Sequence, residues 1–418
     1  MLGRTAAAWG ATVAATGLAA VGQWALIALT GRLAGADQLG VLSWAMAFST
    51  PWLILTSLQL RTVIAGHAPD SNLLKQLLRL RLSTVAATGM VLLIVAAFTV
   101  PNAWLPTVLC VVLWAMGTWI GDLLQGWLQV RGRIITAAVC QAARPVGAAL
   151  VAGLVLFTWP GAGALAAAAA AALVSCVVLL AIETPCTRRL TVVTSAQSAP
   201  RSLSGWLMAT APLGIATGVS ALAAVLPRFG VMHWHGAADL GAFTAMTVMV
   251  TAACQLFGAP APLIIARLAR SIELSDQKTT LRWVSGVSAA ALGLGLFGWL
   301  AAVFVGAQAM SLIFGNDIGA RCTALPDMAL VAAIELLQFP LGYVLTAGRR
   351  YRQQVMPTFA GFITTAVLVW WWVPPMGLRG AAWALAIGGV VRLLGMLPTG
   401  VMLVRTQKAS VVHIRNQT

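Results

Sequence analysis

Acidic side chains are scarce in this sequence. Its 418 residues hold 10 Asp and Glu, and with 26 Lys and Arg the charged share is 9%, against roughly 25% in soluble domains. A water-soluble fold is thereby excluded. Long polar stretches are missing too, so no segment outside the apolar blocks is large enough to hold a nucleotide site, and no GxxxxGK followed by Ser or Thr occurs. Energy for any work must come from a gradient or from the substrate itself. The six cysteines (Cys110, Cys140, Cys176, Cys186, Cys254, Cys322) form no CxxC pair and mostly lie in apolar stretches. They read as small buried hydrophobes, not as zinc ligands or a disulfide framework. Neither a metal nor another cofactor is expected.

What fills the chain instead is hydrophobic, 60% of all residues, in blocks of about 20, the length of a helix crossing roughly 30 Å of hydrocarbon. Spans are expected at about 5–31, 39–60, 83–103, 106–128, 134–158 and 162–182. A second set follows at about 205–227, 239–266, 283–305, 322–346, 354–373 and 380–403. The first apolar run is too long for the hydrophobic region of a signal peptide and reads as a retained helix. The expected fold class is an all-α polytopic membrane protein of about 12 transmembrane helices, with both termini on one side.

The formal charge is +16, yet no nucleic-acid partner is expected, because the bases sit in short loops between spans. Most lie on the side of the termini: Lys75, Arg79 and Arg81, then Arg131 and Arg133, then Arg188, Arg189 and Arg201. Arg267, Arg270, Lys278 and Arg282 follow, then Arg349, Arg350 and Arg352, and the tail bases. Arg32, Arg228, Arg321 and Arg379 are expected at the opposite face. This asymmetry makes the termini cytoplasmic. Residues 71–82, with Leu73, Leu74, Leu77 and Leu78 among Lys75, Arg79 and Arg81, read as an amphipathic helix lying on anionic headgroups.

The longest polar stretch, 183–204, contains Pro185 and Pro200 and divides the chain. Residues 1–183 are expected to form an N-terminal six-helix bundle, 184–204 a cytoplasmic linker, 205–404 a C-terminal six-helix bundle and 405–418 a cytoplasmic tail. The halves repeat each other in three places. Gly35-Ala36-Asp37-Gln38-Leu39-Gly40 matches Gly236-Ala237-Ala238-Asp239-Leu240-Gly241, each after an arginine, Arg32 or Arg228. Gly126, Gly132 and Arg133 stand at the same offsets as Gly342, Gly348 and Arg349, and Gly163-Ala164 matches Gly380-Ala381. Two pseudo-symmetric bundles running in the same direction would enclose a central cavity and rock around it.

The short turns, the arginine plus Gly-Ala-Asp-x-Leu-Gly after the first span, and the basic elbow after the fourth resemble the polysaccharide flippase branch of the multidrug/oligosaccharidyl-lipid/polysaccharide exporter superfamily. In topology the resemblance covers nearly the whole chain, and in sequence only those stretches. It implies a flippase moving undecaprenyl-diphosphate-linked oligosaccharide from the cytoplasmic to the periplasmic leaflet of a bacterial inner membrane by alternating access. It further implies membrane lipids and other polysaccharide-assembly proteins as partners, and substrate handling by bases on the first two helices, where Arg32 and Arg61 stand.

Ionisable groups inside spans carry whatever chemistry there is, since each costs at least about 2.5–3.5 kcal/mol at mid-bilayer. Arg144, Glu335 and Arg392 lie near mid-span, and Asp122 lies near the inner end of the fourth span. Arginine's fork suits a diphosphate, so Arg144, Arg61 and Arg32 are the candidate substrate-binding residues, the alternatives being pairing with a neighbouring helix for Arg144 and snorkelling for the other two. Asp122, Glu335 and Arg392 are candidates for proton or sodium coupling or for a structural ion pair. His233, Trp234 and His235 fall in a loop, where a glycan could stack or where the loop is simply solvated. A multidrug exporter of the same superfamily is the main rival, weakened by a first span without Asp or Glu. An oligosaccharide polymerase or ligase would need a large outward loop, and the longest here is about 15 residues, 306–320.

Overall fold

The computed structural model describes residues 2–65, 71–190, 203–274, 276–348 and 350–415. His67, Arg349 and residues 191–202 of the expected linker lie outside them. The described chain is helical, as hydrocarbon demands, because each backbone N–H and C=O must find its partner within its own segment. The first half comprises α1 (Leu2–Ala34), α2 (Ala36–Thr56), α3 (Leu60–Ala65), α4 (Ser71–Thr99), α5 (Leu105–Val130), α6 (Ile134–Thr158) and α7 (Gly163–Val177). A π-helical turn, Val178–Glu183, carries α7 straight into α8 (Thr184–Leu190). The second half comprises α9 (Leu203–His235), α10 (Ala237–Gly258), α11 (Ala261–Glu273), α12 (Gln277–Phe304), α13 (Gly306–Phe314), α14 (Asn316–Arg321), α15 (Leu325–Ala347) and α16 (Val355–Arg415).

Among the described residues, ten helical stretches are long and apolar enough to cross a membrane. Each of the twelve expected spans falls on a helix: the span expected at 205–227 falls on α9, which is not among the ten, and α16 is two antiparallel arms. Its chain reverses at Gly377 (φ 58°, ψ −131°). A Cβ on Gly361 would stand 2.7 Å from the Gly388 oxygen, and one on Gly395 would stand 2.9 Å from Cβ of Pro357. The expected span 239–266 ends earlier, at Gly258, where Pro260 starts the separate helix α11.

The repeat is visible in backbone angles. Gly35 (φ 90°, ψ 174°) and Gly236 (φ 86°, ψ −174°) open α2 and α10 in the same conformation, one that only glycine adopts without strain. Gly163 (φ 49°, ψ −137°) is matched by Gly377, three residues before the Gly380 expected from sequence. The turn is fixed by whichever residue takes positive φ; Gly380 instead lies within the second arm, tight against the Trp372 backbone. In the register that aligns Gly35 with Gly236, Ala15-Thr16-Gly17 also aligns with Ala216-Thr217-Gly218, and Leu55 with Leu256.

The halves meet where α2 crosses α10 near their first turns. Gly40 lies on the Ala237 carbonyl and Gly241 lies reciprocally on that of Ala36, too close for any side chain. Leu39, Leu240, Phe243 and Met246 surround this crossing and are fully buried. Phe314 and Ile318, from α13 and α14, pack on Gly31 of α1 and close the same end. Toward the face bearing the chain ends, the two remaining seams differ. Leu55 of α2 seats on Gly218 of α9, whereas its counterpart Leu256 is 60% exposed and the space beside Gly17 is empty. The α2–α9 seam is therefore closed and the α1–α10 seam open.

Residues 71–82 do not lie on headgroups. They are the first turns of α4, and Leu73, Leu74, Leu77 and Leu80 pack with Leu60, Ile64, Trp127 and Trp206. Arg81, expected among the bases of that headgroup-facing helix, is fully buried because this stretch is covered by protein. Arg228, expected at the opposite face, lies inside α9, about two turns before its end. Trp234 packs edge-on against Trp370 at 5.2 Å and the His235 ring nitrogen Nε2 lies 2.8 Å from the Val373 oxygen, so this segment is the last turn of a helix.

Gly40→Val places a branched side chain against the Ala237 carbonyl. We expect a loss of at least about 1–3 kcal/mol, read as a lowered thermal midpoint in detergent, while Gly10→Val, in open space, changes little.

Candidate functional site

A hollow of three connected chambers runs from the first half, across the junction, into the second. Its largest chamber, about 430 Å³, lies within the first half, lined by Thr16 and Gln23 of α1, Thr50 of α2, Trp119 and Asp122 of α5, and Arg144 of α6, and is reached by Gln255 of α10. A second part, about 170 Å³, shares Gln23, Thr50 and Gln255 with the first and adds Trp24 and Arg228. Thr251 connects this to a third chamber, about 300 Å³, inside the second half, where Glu335 and Arg392 sit.

Each acid lining these chambers is held by arginine. Leu58 and Gln59 turn the chain through the left-handed region (φ 53° and 49°), a conformation costing about 1–3 kcal/mol each in non-glycine residues. Leu58 is anchored against Gly214. The elbow swings Arg61, now in α3, back to Asp122 of α5, at 2.8 Å. Buried Arg81 lies on the other side of the same carboxylate, 4.0 Å away, with its nitrogens otherwise unpartnered. In the second half Arg392 donates to Glu335 at 2.7 Å and also to Gln338. This is the pairing that adjacent mid-span charges of opposite sign suggested.

Arg144 is held by the last residue of the expected N-terminal bundle, where the polar stretch begins. Glu183 is fully buried and accepts from Arg144, while Gln125 donates to its other oxygen at 2.8 Å. The π turn is what keeps residue 183 helical and aimed inward. Gly121 of α5 makes room for the pair, since a side chain there would occupy the Arg144 guanidinium's place, and Gly22 lets α1 approach Pro145 beside it. Arg144 still lines the hollow, so it is both paired and lumen-facing. Arg32 is not part of this constellation. It donates to the Leu312 carbonyl of α13 at the opposite face, beside Ser311 and Asn316.

Arg228 differs from all of these. It makes no ion pair or hydrogen bond with any described residue, its Nε is sealed from solvent, and it lines the chamber between the halves beside Trp24, whose indole N–H is also unpartnered. Around the hollow, then, five arginines (61, 81, 144, 228 and 392) face three acids (Asp122, Glu183 and Glu335). Sequence reasoning missed Arg228 because Pro227-Arg228-Phe229-Gly230 reads as a turn after an apolar run already of full span length.

The pairs differ in burial, and so in what breaking them costs. Glu183→Gln strands Arg144 without a counter-charge and is expected to cost about 3–5 kcal/mol. Glu335→Gln, at a side chain 36% exposed, is expected to cost much less. Thermal midpoints of the two variants check this ordering, and equal shifts would contradict it.

No family model matches the sequence and no curated protein matches it. Solved structures do. A MOP superfamily transporter from Pyrococcus furiosus, described as having a binding pocket of reverse polarity, superposes with a TM-score of 0.68 at 14% identity, covering 96% of each chain. The lipid II flippase MurJ in an inward closed conformation gives 0.68 at 11% identity, over 97% of this chain and 92% of that one. An outward-facing multidrug resistance MATE family transporter gives 0.61 at 14% identity, over 96% of each. The chain is thus a multi-pass membrane protein, helical throughout its described residues, with the fold of these solved MOP superfamily structures.

Proposed function

We propose that this protein is a flippase for a polyprenyl-diphosphate-linked oligosaccharide, carrying the headgroup through the hollow from the cytoplasmic leaflet outward while the tail stays in lipid. The observation that carries the reading is Arg228, a cation at the junction of the two halves with no partner among the described residues. A diphosphate supplies the missing anion, and the guanidinium fork engages paired phosphate oxygens. Arg61 and Arg144 serve as secondary donors along the path, exchanging part of their hold on Asp122 and Glu183 for the passing headgroup. Arg32 belongs to the outer closure. Asp122 and Glu335 are the acids through which a proton or a sodium ion would couple, since their side chains are partly exposed to the chambers. The basic face with the chain ends is assigned to the cytoplasm of a bacterial inner membrane.

A multidrug exporter of cations would need an uncompensated acid in the same place. Among the described residues, the acids of the chambers all have arginine partners, which favours the anionic cargo.

Arg228→Gln is expected to weaken transport about tenfold or more, the equivalent of one charge-assisted hydrogen bond. The readout is leaflet accessibility of polyprenyl-linked glycans in cells whose own copy is deleted. Trapped cytoplasmic intermediates, restored by the unaltered protein and not by Arg228→Gln, support the flippase. Normal surface glycan with altered drug tolerance overturns it.

Rocking of the halves has its own prediction. Leu55 on Gly218 shows what a closed seam looks like, and Leu256 with Gly17 is the same pair left open. Cysteines at positions 17 and 256 should crosslink when substrate closes the hollow toward the chain ends, whereas cysteines at 55 and 218 should crosslink without it. Crosslinking of the second pair alone under all conditions would contradict rocking about this seam.

A further inference from the structure

Outside the hollow, the second half carries a groove of about 750 Å³ between the end of α10 and the first turns of α12. Its deeper part is apolar, walled by Leu256, Phe257, Ile264, Val287 and Ala290. Its shallow end, toward the face with the chain ends, is polar and cationic, formed by Thr279, Arg282 and Trp283. From Thr279 to Ala290 the groove follows α12 for about 16 Å at 1.5 Å per residue. That is one amphiphile's headgroup and the upper part of its chains.

The charges at the shallow end are arranged to meet an anion. Arg282 is exposed and makes no side-chain bond with any described residue. Arg267 stacks over Trp283 with its guanidinium 4.9 Å from the ring centroid, which fixes a second cation at the rim. Arg270 and Lys278 are exposed nearby on α11 and α12. The neighbouring acids are Glu273 and Asp276. Asp276 is committed to capping α12, accepting from the Thr279 backbone at 3.1 Å, and that hydrogen bonding holds its carboxyl below the usual carboxylate range. It stays charged and bound to the helix end, leaving the rim net positive. Tryptophan at this depth is the side chain that sits at the headgroup level of a bilayer.

We propose that the α10–α12 groove is a binding site for an anionic phospholipid of the leaflet facing the chain ends. The phosphate is held by Arg282 within the field of Arg267, and the acyl chains lie on Leu256, Phe257 and Val287. The site is separate from the hollow, and the proposal does not depend on what the hollow carries. It does bear on the rocking seam, because Leu256 belongs to both. A lipid seated there engages the side chain that must move onto Gly17 when the hollow closes, so lipid occupancy favours the open seam.

The test uses the purified full chain and two lipids with identical acyl chains, phosphatidylglycerol and phosphatidylcholine. Native mass spectrometry should show phosphatidylglycerol retained in preference, and its addition should raise the thermal midpoint more than phosphatidylcholine does. Arg282→Gln should reduce the retained phosphatidylglycerol about tenfold, the loss of one charge-assisted contact. Gly286→Phe puts a ring into the groove from a position whose Cβ meets nothing within 4 Å, and should abolish retention of either lipid at this site. Lys75→Gln removes a charge from the same face but from the other half, and should leave the preference intact. Equal retention of the two lipids, preference surviving in either groove variant, or preference lost equally in Lys75→Gln would each overturn the proposal.

Discussion

A charge inside hydrocarbon must be answered by an opposite charge, by hydrogen bonds or by water, and this constraint governs the interior of the protein. Glu183 answers Arg144, Asp122 answers Arg61 with Arg81 behind it, and Glu335 answers Arg392. Each pair ties two or three helices together and requires the glycines that bring those helices close, Gly121 among them. Once the acids are spent in this way, one guanidinium at the junction of the halves has no partner among the described residues. A cation held inside the membrane span without a counter-charge is costly to keep, which is why Arg228, only partly exposed to its chamber, points to a cargo that brings its own negative charge.

The same geometry separates the rigid parts from the moving ones. The crossing of α2 and α10 is built from backbone on backbone, Gly40 on Ala237 and Gly241 on Ala36, with no side chain to repack. It acts as a pivot. The two flanking seams use the same residue types, and the halves differ because one seam is filled and the other empty. The same pair of residue types is thus packed in one seam and apart in the other within one molecule.

Much of this was legible in the sequence. Blocks of apolar residues gave the spans, because hydrocarbon thickness sets helix length directly. The twin Gly-Ala-Asp turns gave the repeat, because positive φ admits little but glycine. Glu183 was not legible. Followed by Thr184, Pro185 and two arginines, it looks like the start of a linker, and only the π turn keeps it helical and buried. Arg81 was misjudged for a related reason: an amphipathic stretch at a membrane edge covers lipid or protein equally well by pattern, and here Leu60, Ile64 and Trp206 supply the protein. Pairing across distant segments, Arg61 with Asp122 or Arg144 with Glu183, is a property of the fold that spacing along the chain does not encode.

The most direct measurement of the central claim is the sign of charge that the hollow binds. Calorimetric titration of the purified protein with a short-chain isoprenyl diphosphate, and separately with a lipophilic organic cation, supplies it. The account predicts binding of the diphosphate that weakens as salt is raised, and none of the cation. Binding of the cation with no response to the diphosphate would contradict it.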